Sequence, residues 1–339
     1  PLLIKAAAGG GGKGMHIVNH EVEFEMALGL ARSEAERYFG NSSIYCEKYI
    51  ARPRHIEVQI LADEHGNCIH LGERECSIQR RFQKVFEEAP ASRLSTELRE
   101  RICTTAVEIA SAANYTNAGT VEFILAEDGA FYFLEMNTRL QVEHPVTEMV
   151  TGIDLVEMQL SIAVGNGLPL TQQEVRWTGH AIEMRICAED PEAEFIPATG
   201  RVSLLRNASG EGVRLDSGLA AGMRVTTAFD PMLAKLIVHG PDRASAIAKA
   251  AIAVREQVIL GVTTNCGFLA RVLAHPAFVS GDIHTHFIDD YREELRRPEP
   301  DAALRTSVLA IAAFNEGDFR RLTFDTPQPH AAMGAWRNT

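Results

Sequence analysis

A pair of carboxylates on a predicted β-hairpin is the first feature of this sequence that could do chemistry. The Asp128-Gly129 dipeptide lies between two apolar runs and predicts a tight turn joining two strands. If the turn has two residues, Glu122 lies directly opposite Glu135, where like charges repel unless a cation neutralises them. Carboxylate oxygens at this spacing suit Mg²⁺ or Mn²⁺, and Asn137 follows on the same face with a neutral oxygen. The hairpin therefore predicts a divalent-metal site; the alternative is two solvated glutamates.

A glycine-rich stretch near the start of the chain predicts a phosphate-binding loop. Residues 8–14 read Ala-Gly-Gly-Gly-Gly-Lys-Gly, so hardly any side chain blocks a close approach of the backbone. The backbone N–H groups can form a nest for polyphosphate, to which Lys13 adds charge, and Lys5 on the preceding strand can reach the same phosphates. No Ser or Thr follows Lys13, so this is not a Walker A loop. A flexible turn is the alternative interpretation.

Directly after the hairpin, the sequence places groups that bind small anions. Arg139 can clamp a planar oxyanion with two hydrogen bonds, and Gln141 with a backbone N–H can complete the coordination. Glu143 beside them is a candidate general base. A second polar run, residues 75–84, ends in Lys84 and adds positive charge to an acidic chain. Such runs are usually solvated surface, but together with a phosphate loop and a metal pair they indicate phosphoryl transfer to a small anion.

The composition limits the classes of protein to which these groups can belong. The chain has 339 residues, 46% of them hydrophobic, and a formal net charge of −12. This length predicts about two compact units, and the acidic balance argues against a nucleic-acid partner. No apolar run is long enough for a membrane span, so we expect no membrane partner. The six scattered cysteines indicate a reducing compartment, the cytoplasm or, in a eukaryote, the mitochondrial matrix.

The elements that must position these groups fall into three sections and a tail. Residues 1–50 read as strand, glycine loop, strand, helix and strand, and residues 51–172 are rich in strands. Residues 173–291 form a third section of short strands and helices. We expect residues 292–339, which begin with a proline-containing segment, to be a linker and the start of a following domain.

Period-two alternation marks the strands of the second and third sections. Ile56, Val58 and Ile60 alternate with Glu57 and Gln59. The segment 182–186 repeats this pattern, with apolar residues at the even positions and charged residues between them. Both patterns predict β-strands.

Taken together, these motifs resemble those of the ATP-grasp biotin carboxylases. The resemblance rests on Lys5 with the glycine loop and on the segments Glu47–Tyr49, Arg54–His55, Glu75–Lys84, Glu87–Pro90, Glu135–Glu148 and Glu183–Pro191, and it covers about residues 1–290. It implies an α+β fold, in which an ATP-grasp fold is followed by a biotin carboxylase C-terminal domain of mixed strands and helices. Residues 1–50 would then be the lid subdomain, 51–172 the catalytic subdomain and 173–291 the C-terminal domain.

The resemblance also implies an activity and roles for individual residues. The activity is that of an ATP-dependent ligase, which carboxylates enzyme-linked biotin with bicarbonate through carboxyphosphate. ATP would be held by Lys5, Gly10, Gly11, Gly12, Gly14, Glu47, Tyr49, Ile50, His55, Gln79, Glu122 and Glu135, and Mg²⁺ or Mn²⁺ by Glu122, Glu135 and Asn137. Bicarbonate would bind Arg139, Gln141 and the N–H of Val142, and Glu143 would deprotonate it. Lys84 would stabilise anionic intermediates. Arg185 would stabilise the biotin enolate, and Asp230 would border the biotin pocket.

Two departures from the family pattern stand out. Phe82 occupies a position at which the family usually has His, so we expect a weakened or retuned affinity for ATP. The family's first, Rossmann-like domain has no counterpart in the chain, so we expect little or no turnover from this chain alone. The Ala-Met-Lys-Met biotinylation motif is also missing, which places the biotinyl-lysine on a later domain or on another protein.

Several alternatives stay open at this stage. The tail favours the α-subunit of an acyl-CoA carboxylase of the methylcrotonoyl-, propionyl- or acetyl-CoA type. Its partners would be a biotin carboxyl carrier domain and a carboxyltransferase β-subunit, in a homo- or hetero-oligomer. The biotin carboxylase domain of a urea or pyruvate carboxylase is the alternative within the family. A catalytically silent nucleotide-binding module and a carbamoyl-phosphate-type ligase are the alternatives outside it, and Arg185 argues against the second.

Overall fold

The computed structural model of the chain describes residues 1–8, 14–299, 301–303 and 305–311. Three of the predicted ATP-binding residues, Gly10, Gly11 and Gly12, lie outside the described residues. The chain divides into two units after Arg296, and every element named below belongs to the first. None of the helices within the described ranges is long and apolar enough to cross a membrane.

The first lobe is a small antiparallel sheet covered by one helix. Its elements are β1 (Leu2–Ala6), β2 (His16–Val18), α1 (Phe24–Phe39) and β3 (Ile44–Lys48), with the strand order β2-β1-β3. Ala27 and Ala31 lie one helical turn apart and pack against Ile4 and Val18, which explains how so small a sheet is covered. The helix ends at Gly40, whose φ of +65° closes the last turn.

A second group of elements follows the connecting segment at residues 49–53. They are β4 (Arg54–Ala62), β5 (Cys68–Arg80), β6 (Gln83–Ala89), α2 (Thr96–Ala112), β7 (Asn117–Leu125), β8 (Phe131–Asn137), α3 (His144–Thr151) and α4 (Leu155–Ala163). Ser95 caps α2 by accepting a hydrogen bond from the Leu98 N–H. The sequence did not predict α3, because the segment was interpreted only as a set of anion-binding groups.

The third group contains short strands and four helices within the described residues. They are β9 (His180–Cys187), β10 (Glu189–Asp190), β11 (Ile196–Pro197), β12 (Gly200–Arg201), β13 (Leu204–Arg206), β14 (Val213–Ser217), β15 (Arg224–Val225), β16 (Met232–Gly240), α5 (Arg243–Glu256), β17 (Val258–Leu260), α6 (Cys266–Ala274), α7 (Pro276–Ser280) and α8 (Phe287–Asp290). The fold is therefore α+β, as predicted.

One antiparallel sheet of eight strands joins the second and third groups. Its order is β14-β16-β9-β6-β5-β4-β7-β8, so the sheet continues across the predicted boundary at residue 172 through the pairing of β6 with β9. We call one side of this sheet the apolar face; it includes Ile56, Val58 and Ile60 packed on α2. On the same side, residues 182, 184 and 186 lie in the core formed with α5 and α6.

The opposite side, which we call the polar face, carries the charged residues that alternate with this core. They are Glu57, Gln59, Arg74, Glu87, Glu122, Glu183, Arg185 and Lys235. The helix α3 covers part of this face and contacts β5, β6, β9 and β16, with Val146 and Val150 packed against Ala181 and Ile237. The polar face is therefore largely buried.

The predicted two-residue turn between β7 and β8 is wrong, yet the predicted facing pair is present. The loop has three residues, because the Ala126 N–H binds the Ala130 carbonyl at 2.8 Å and Gly129 closes the turn with a φ of +82°. This loop alone would shift the register by one residue. A bulge in β8 shifts it back, so that Glu122 does lie directly opposite Glu135.

Candidate active site

Lys84 lies at the centre of a buried network on the polar face. It occupies the second position of β6, and its side chain is 12% exposed. Its Nζ lies 2.5 Å from Glu57 Oε2 and 3.1 Å from Glu122 Oε1, and it also contacts Glu143 Oε1. Burial lowers the pKa of Lys84, but these three carboxylates outweigh it and raise the pKa well above its usual value. The lysine is therefore a permanent cation with all three donors directed at carboxylates.

Arg74 and Glu57 form the floor of the network, and sequence reasoning missed both. Arg74 is fully buried, and its Nε lies 2.5 Å from Glu57 Oε1. The guanidinium also donates to four oxygens at 2.7–3.2 Å, those of Gln59, Thr120, Gln141 and Thr147. Every one of its five N–H donors therefore has a partner, which fixes the guanidinium. Because Gln141 is among these partners, Arg74 orients a predicted bicarbonate ligand.

The turn between β4 and β5 can be recognised in the sequence, but a bulge changes which residue of β5 lies opposite Glu57. The turn at residues 63–67 pairs Ala62 with Cys68, and a regular hairpin from that point would place Glu57 opposite Glu73. A shift of register between Val58 and Ile60 brings Arg74 opposite Glu57 instead. Because a shift of one residue moves a side chain to the other face, the ion pair could not be predicted from turn geometry.

Glu122 is held as an anion from both sides. Its Oε1 accepts hydrogen bonds from Gln141 at 2.7 Å and Asn137 at 3.0 Å, and its Oε2 lies 2.9 Å from His55 Nε2. Burial raises the pKa of Glu122, but the neighbouring His55 and the charge and hydrogen bond of Lys84 outweigh it and hold the pKa well below its usual range. The Gln79 side chain in turn binds His55 Nδ1 at 2.7 Å, which joins two predicted ATP-binding residues.

Glu135 and Asn137 complete the predicted metal site at the exposed end of β8. The Asn137 amide nitrogen donates to Glu122 at 3.0 Å and to Glu135 at 3.2 Å, so one amide bridges the two facing carboxylates. Its amide oxygen accepts from Arg139 at 3.1 Å. Two opposed carboxylates are oxygen donors of the kind that Mg²⁺ prefers, so they fit such an ion. Asn137 would add a third oxygen after its amide turns, because its nitrogen now faces the carboxylates and its oxygen binds Arg139.

Arg185 connects Glu143 with the third group of elements. Its Nε lies 2.5 Å from Glu87 Oε1, and its NH2 group lies 3.0 Å from Glu143 Oε2. Glu143 is the N-cap residue of α3, and Pro145 lies in the first turn of that helix, where proline is favoured. Lys84 and Arg185 thus each bind one oxygen of Glu143.

The remaining predicted site residues lie outside this network. Lys5 Nζ is 2.7 Å from Glu47 Oε2 within the first lobe, and Tyr49 OH, in the segment between β3 and β4, is 2.9 Å from His286 Nε2. Gly14 follows the glycine loop with a φ of +70°, and Ile50 is half-buried. Asp230 is exposed and accepts a hydrogen bond from the Met232 N–H. No hydrogen bond or ion pair among the described residues links Lys5 or Asp230 to the network.

Phe82 lies on the tight turn between β5 and β6. Arg80 pairs with Gln83, and the two residues between them, Arg81 and Phe82, have φ values of +48° and +66°. Two positive φ angles in a two-residue loop are the signature of a type I′ turn, which normally holds Asn and Gly. The Phe82 side chain is 58% exposed, so the strained turn presents it to solvent.

Comparison with known families agrees with this geometry. Residues 1–171 match the family described as the ATP binding domain of the carbamoyl-phosphate synthase L chain, and residues 183–290 match the biotin carboxylase C-terminal domain. The chain belongs to the biotin carboxylase family.

Relatives of the chain include a biotin carboxylase and an alpha subunit of a methylcrotonoyl-CoA carboxylase. The chain is 52% identical over 290 residues to the biotin carboxylase of a Nostoc species, which is an alignment of 86% of this chain and 65% of that protein. It is 45% identical over 342 residues to the alpha subunit of the mitochondrial methylcrotonoyl-CoA carboxylase of Dictyostelium discoideum, covering 99% of this chain and 49% of that relative. The chain thus spans about half to two thirds of the length of these relatives.

Solved structures of biotin carboxylase family members share the fold. The Campylobacter jejuni biotin carboxylase, in a complex with β,γ-ATP, is 44% identical and superimposes with a TM-score of 0.83 over 86% of this chain and 65% of that one. The biotin carboxylase domain of the Hydrogenobacter thermophilus 2-oxoglutarate carboxylase, in complex with MgADP, ADP and bicarbonate, is 42% identical. It gives a TM-score of 0.85 over 88% of this chain and 66% of that one.

Proposed function

We propose that this chain is the part of a biotin-dependent carboxylase that supplies the residues for the biotin carboxylase half-reaction. In this reaction ATP, bicarbonate and enzyme-linked biotin give carboxybiotin, ADP and phosphate. The observation that carries the proposal is the buried network in which Lys84 and Arg185 hold the two oxygens of Glu143, beside the candidate anion ligands Arg139 and Gln141. The bound nucleotides and bicarbonate in the two related structures support the same substrates.

Glu143 is the proposed base for bicarbonate. Arg139 is exposed, and its guanidinium can donate two parallel hydrogen bonds to a planar anion. Gln141, which is fixed by Arg74, and the Val142 N–H are neutral donors to the same anion. Glu143 removes the proton of bicarbonate, and a bicarbonate oxygen then attacks the γ-phosphorus of ATP. ADP leaves and carboxyphosphate forms. A base whose two oxygens are each held by a cation has a fixed orientation, which this step requires.

The opposed carboxylates would hold the divalent cation of the nucleotide. Glu122 and Glu135, with Asn137 beside them, would bind Mg²⁺ or Mn²⁺, which when bound neutralises phosphate charge. Lys5, Glu47, Tyr49, Ile50, His55, Gln79, Gly14 and the loop glycines Gly10, Gly11 and Gly12 would hold the rest of ATP. The ion pair of Lys5 with Glu47 then has to open so that Lys5 can meet the phosphates.

Lys84 and Arg185 would serve the second half of the reaction. Carboxyphosphate decomposes to CO₂ and phosphate, and Lys84 stabilises the carboxyphosphate and phosphate anions with a charge that the network makes permanent. The phosphate released from carboxyphosphate takes the ureido N–H proton of biotin, and Arg185 stabilises the resulting enolate while the ureido nitrogen of biotin bonds to the carbon of CO₂. Asp230 would border the biotin pocket. Both arginine contacts, to Glu87 and to Glu143, hold the guanidinium before biotin arrives.

The partners follow from the half-reaction. Biotin would be carried on a carrier domain, and a carboxyltransferase β-subunit would pass the carboxyl group to an acyl-CoA within an oligomer. The names of the relatives support such an assembly, since they include alpha subunits of methylcrotonoyl-CoA carboxylases and one component of the pyruvate carboxylase of Methanothermobacter thermautotrophicus. We place the protein in the cytoplasm or, in a eukaryote, in the mitochondrial matrix.

The test is ATP hydrolysis by the complete polypeptide with Mg²⁺, with and without bicarbonate and free biotin. We expect hydrolysis to require bicarbonate and to rise with biotin. Replacement of the base in Glu143→Gln is expected to lower the rate by about 10²–10⁴-fold, the usual contribution of a general base. Arg139→Ala is expected to abolish the bicarbonate dependence.

The matched control is Glu157→Gln, which changes an exposed glutamate on α4. This variant should retain the activity of the unmodified protein. Binding of ATP without any effect of bicarbonate or biotin would contradict the proposal and favour a silent nucleotide-binding module. Turnover that depends on ammonia instead of biotin would favour a carbamoyl-phosphate-type ligase.

A further inference from the structure

Two glutamates on the polar face lie opposite each other without the partners that buried carboxylates need. Glu87 on β6 and Glu183 on β9 are directly opposite in the antiparallel register, and both side chains are fully buried. Both carboxyl oxygens of Glu183 and the Oε2 atom of Glu87 lack a hydrogen-bond partner among the described residues. Three orphaned oxygens in one buried place are unusual, because such groups are nearly always satisfied.

The charged groups around Glu183 are all committed elsewhere. On its own strand, Arg185 binds Glu87 and Glu143. On β16, Ile237 is the residue opposite Glu183, while Lys235 binds the Val142 carbonyl at 2.8 Å and Asp216 at 3.4 Å.

The helix that covers this face supplies no cation either. In α3, Glu148 binds Arg214 at 2.6 Å, and His144 binds the Gln141 carbonyl at 2.7 Å. Among the described residues, no ion pair reaches Glu183. An ionised Glu183 would therefore be a buried, unpaired anion directly beside a second anion, an arrangement that proteins avoid by protonation.

We propose that Glu183 is a positioning residue that acts in its neutral form: its carboxyl O–H donates a hydrogen bond to Oε2 of Glu87. Glu87 then remains the anion whose other oxygen binds Nε of Arg185. The proton on Glu183 makes one of its oxygens a donor and Oε2 of Glu87 the acceptor, so two of the three orphaned oxygens gain a partner. The significance of this arrangement for catalysis rests on the proposed function of Arg185, but the protonation of Glu183 does not.

The electrostatics of the pair point the same way. Burial and the neighbouring carboxylate of Glu87 raise the pKa of Glu183 well above its usual value, against the weaker effects of Lys235 and Arg185. Burial also raises the pKa of Glu87 to about 7, although Arg185 opposes that rise. Of the two carboxyls, Glu87 has the cation in contact, so Glu183 is the one that keeps the proton.

Ionisation of Glu183 would disturb the site through Arg185. A second carboxylate beside Glu87 would compete for the guanidinium and draw it away from Glu143, 3.0 Å distant. Arg185 would then no longer be held from both sides. Activity in the proposed reaction should therefore fall on the alkaline side as Glu183 loses its proton.

The first experiment detects the proton directly and needs no turnover. Infrared difference spectra of the unmodified protein and Glu183→Gln at neutral pH are expected to show that the substitution removes the carbonyl stretch of one protonated carboxylic acid. The matched control is Glu73→Gln, a buried glutamate on the same sheet that is paired with Arg99 at 2.7 Å. It should remove a carboxylate band instead. Loss of a carboxylate band in both variants would overturn the proposal.

The second experiment uses the pH profile of biotin-dependent ATP hydrolysis in the complete polypeptide. We expect Glu183→Gln, whose amide is a permanent neutral donor, to keep the activity at neutral pH and to lose the alkaline decline. Glu183→Leu, which has no donor, should lower biotin-dependent turnover by about 10²-fold, the usual effect of a small misplacement of a catalytic group. Equal losses in Gln and Leu variants with unchanged pH profiles would overturn the positioning role.

The two experiments separate this inference from the function on which it partly rests. If the unmodified protein shows no bicarbonate- or biotin-dependent hydrolysis, the proposed function fails, and the infrared result still decides the protonation of Glu183. If hydrolysis is as proposed but Glu183→Gln removes only a carboxylate band, the inference alone fails.

Discussion

The two faces of the eight-stranded sheet are both buried, but they are built in different ways. On the apolar face, Ile56, Val58 and Ile60 pack on α2 through contacts that need no particular direction. On the polar face, Glu57 and Arg74 have no exposed surface either, and each depends on partners at defined distances. The same strands thus supply a packed core to one side and a hydrogen-bonded network to the other.

This difference explains where the site lies. An apolar core tolerates changes of shape at moderate cost, whereas a buried network fails when one partner is removed. The network also fixes side chains more rigidly than solvent-exposed positions would, since Arg74 alone binds groups from β4, β7, α3 and the segment that precedes α3. A base and its cations can therefore be held in place before substrate arrives, which is the requirement for electrostatic catalysis.

The largest effect is expected when Arg74 is removed from the polar face. Arg74→Met leaves the buried carboxylate of Glu57 without one of its two cations and leaves four further oxygens without their donor. We expect a loss of about 3–5 kcal/mol in the free energy of unfolding, the cost of breaking a buried ion pair from one side. Urea denaturation of the two proteins measures it.

A second substitution shows whether the loss comes from the buried charge of Glu57, which then has Lys84 as its one remaining ion-pair partner. In Arg74→Met/Glu57→Gln this carboxylate is replaced by a neutral amide, so part of the stability should return. A decrease of less than about 1 kcal/mol in the free energy of unfolding of Arg74→Met would mean that water replaces the guanidinium. The polar face would then be accessible to water despite its burial.

The next effect concerns how the free energy of unfolding depends on pH. Because the pKa of Glu183 is raised in the folded protein above the usual value of 4.5, the folded state keeps a proton that the unfolded state loses. Stability therefore falls as pH rises above 4.5 towards the folded pKa, by about 1.4 kcal/mol per pH unit for one proton. In Glu183→Gln this contribution is absent, so the variant should gain stability relative to the unmodified protein as pH rises.

The measurement is urea denaturation of both proteins at several pH values between 5 and the folded pKa. Only the difference between the two curves is used, because all other titrating groups contribute to both. Parallel curves would show that Glu183 ionises in the folded protein as it does in the unfolded chain.

A smaller effect is expected on the apolar face. Ile60→Val removes one buried methylene from the core on α2 and should cost about 0.5–1.5 kcal/mol. Because the change removes no charge and no hydrogen-bonding group, the loss should be the same at every pH at which the protein is folded. A pH-dependent loss in this variant would mean that the two faces are coupled through the sheet.

The two faces also differ in how far the sequence predicts them. Alternation at Ile56–Ile60 and at residues 182–186 predicted the strands and the core side, because period two needs only hydrophobicity. The facing of Glu122 and Glu135 was predicted correctly from a wrong turn, because a loop of three residues and a bulge in β8 cancel each other. The registers that place Arg74 opposite Glu57 and Glu135 opposite Glu122 depend on β-bulges, which leave no pattern in the sequence.

The resemblance to the biotin carboxylases predicted the family and the fold, but not the supporting residues. Arg74 and Glu57 were missed because their ion pair depends on the bulge in β4 and β5 and on α3, which was not predicted. Glu183 was interpreted only as a strand residue, since nothing in a single sequence shows that its side chain is buried beside Glu87. The roles assigned to individual site residues remain predictions until the activity measurements are made.

The smallest effect is expected at Phe82, which lies outside both faces, on the turn that leads into the strand of Lys84. A phenylalanine at a φ of +66° is strained, and Asn is preferred there, so Phe82→Asn should stabilise the protein by up to about 1 kcal/mol. The Phe82 residue is 58% exposed, so removal of the ring should cost little packing. Phe82→His restores the residue usual in the family and should leave the turn as strained as before, while raising the affinity for ATP.

Thermal denaturation and ATP titration of both variants separate these effects. If Phe82→Asn lowers stability, the ring contributes packing that outweighs the strain; if Phe82→His leaves the ATP affinity unchanged, the departure from the family pattern concerns the turn and not the nucleotide.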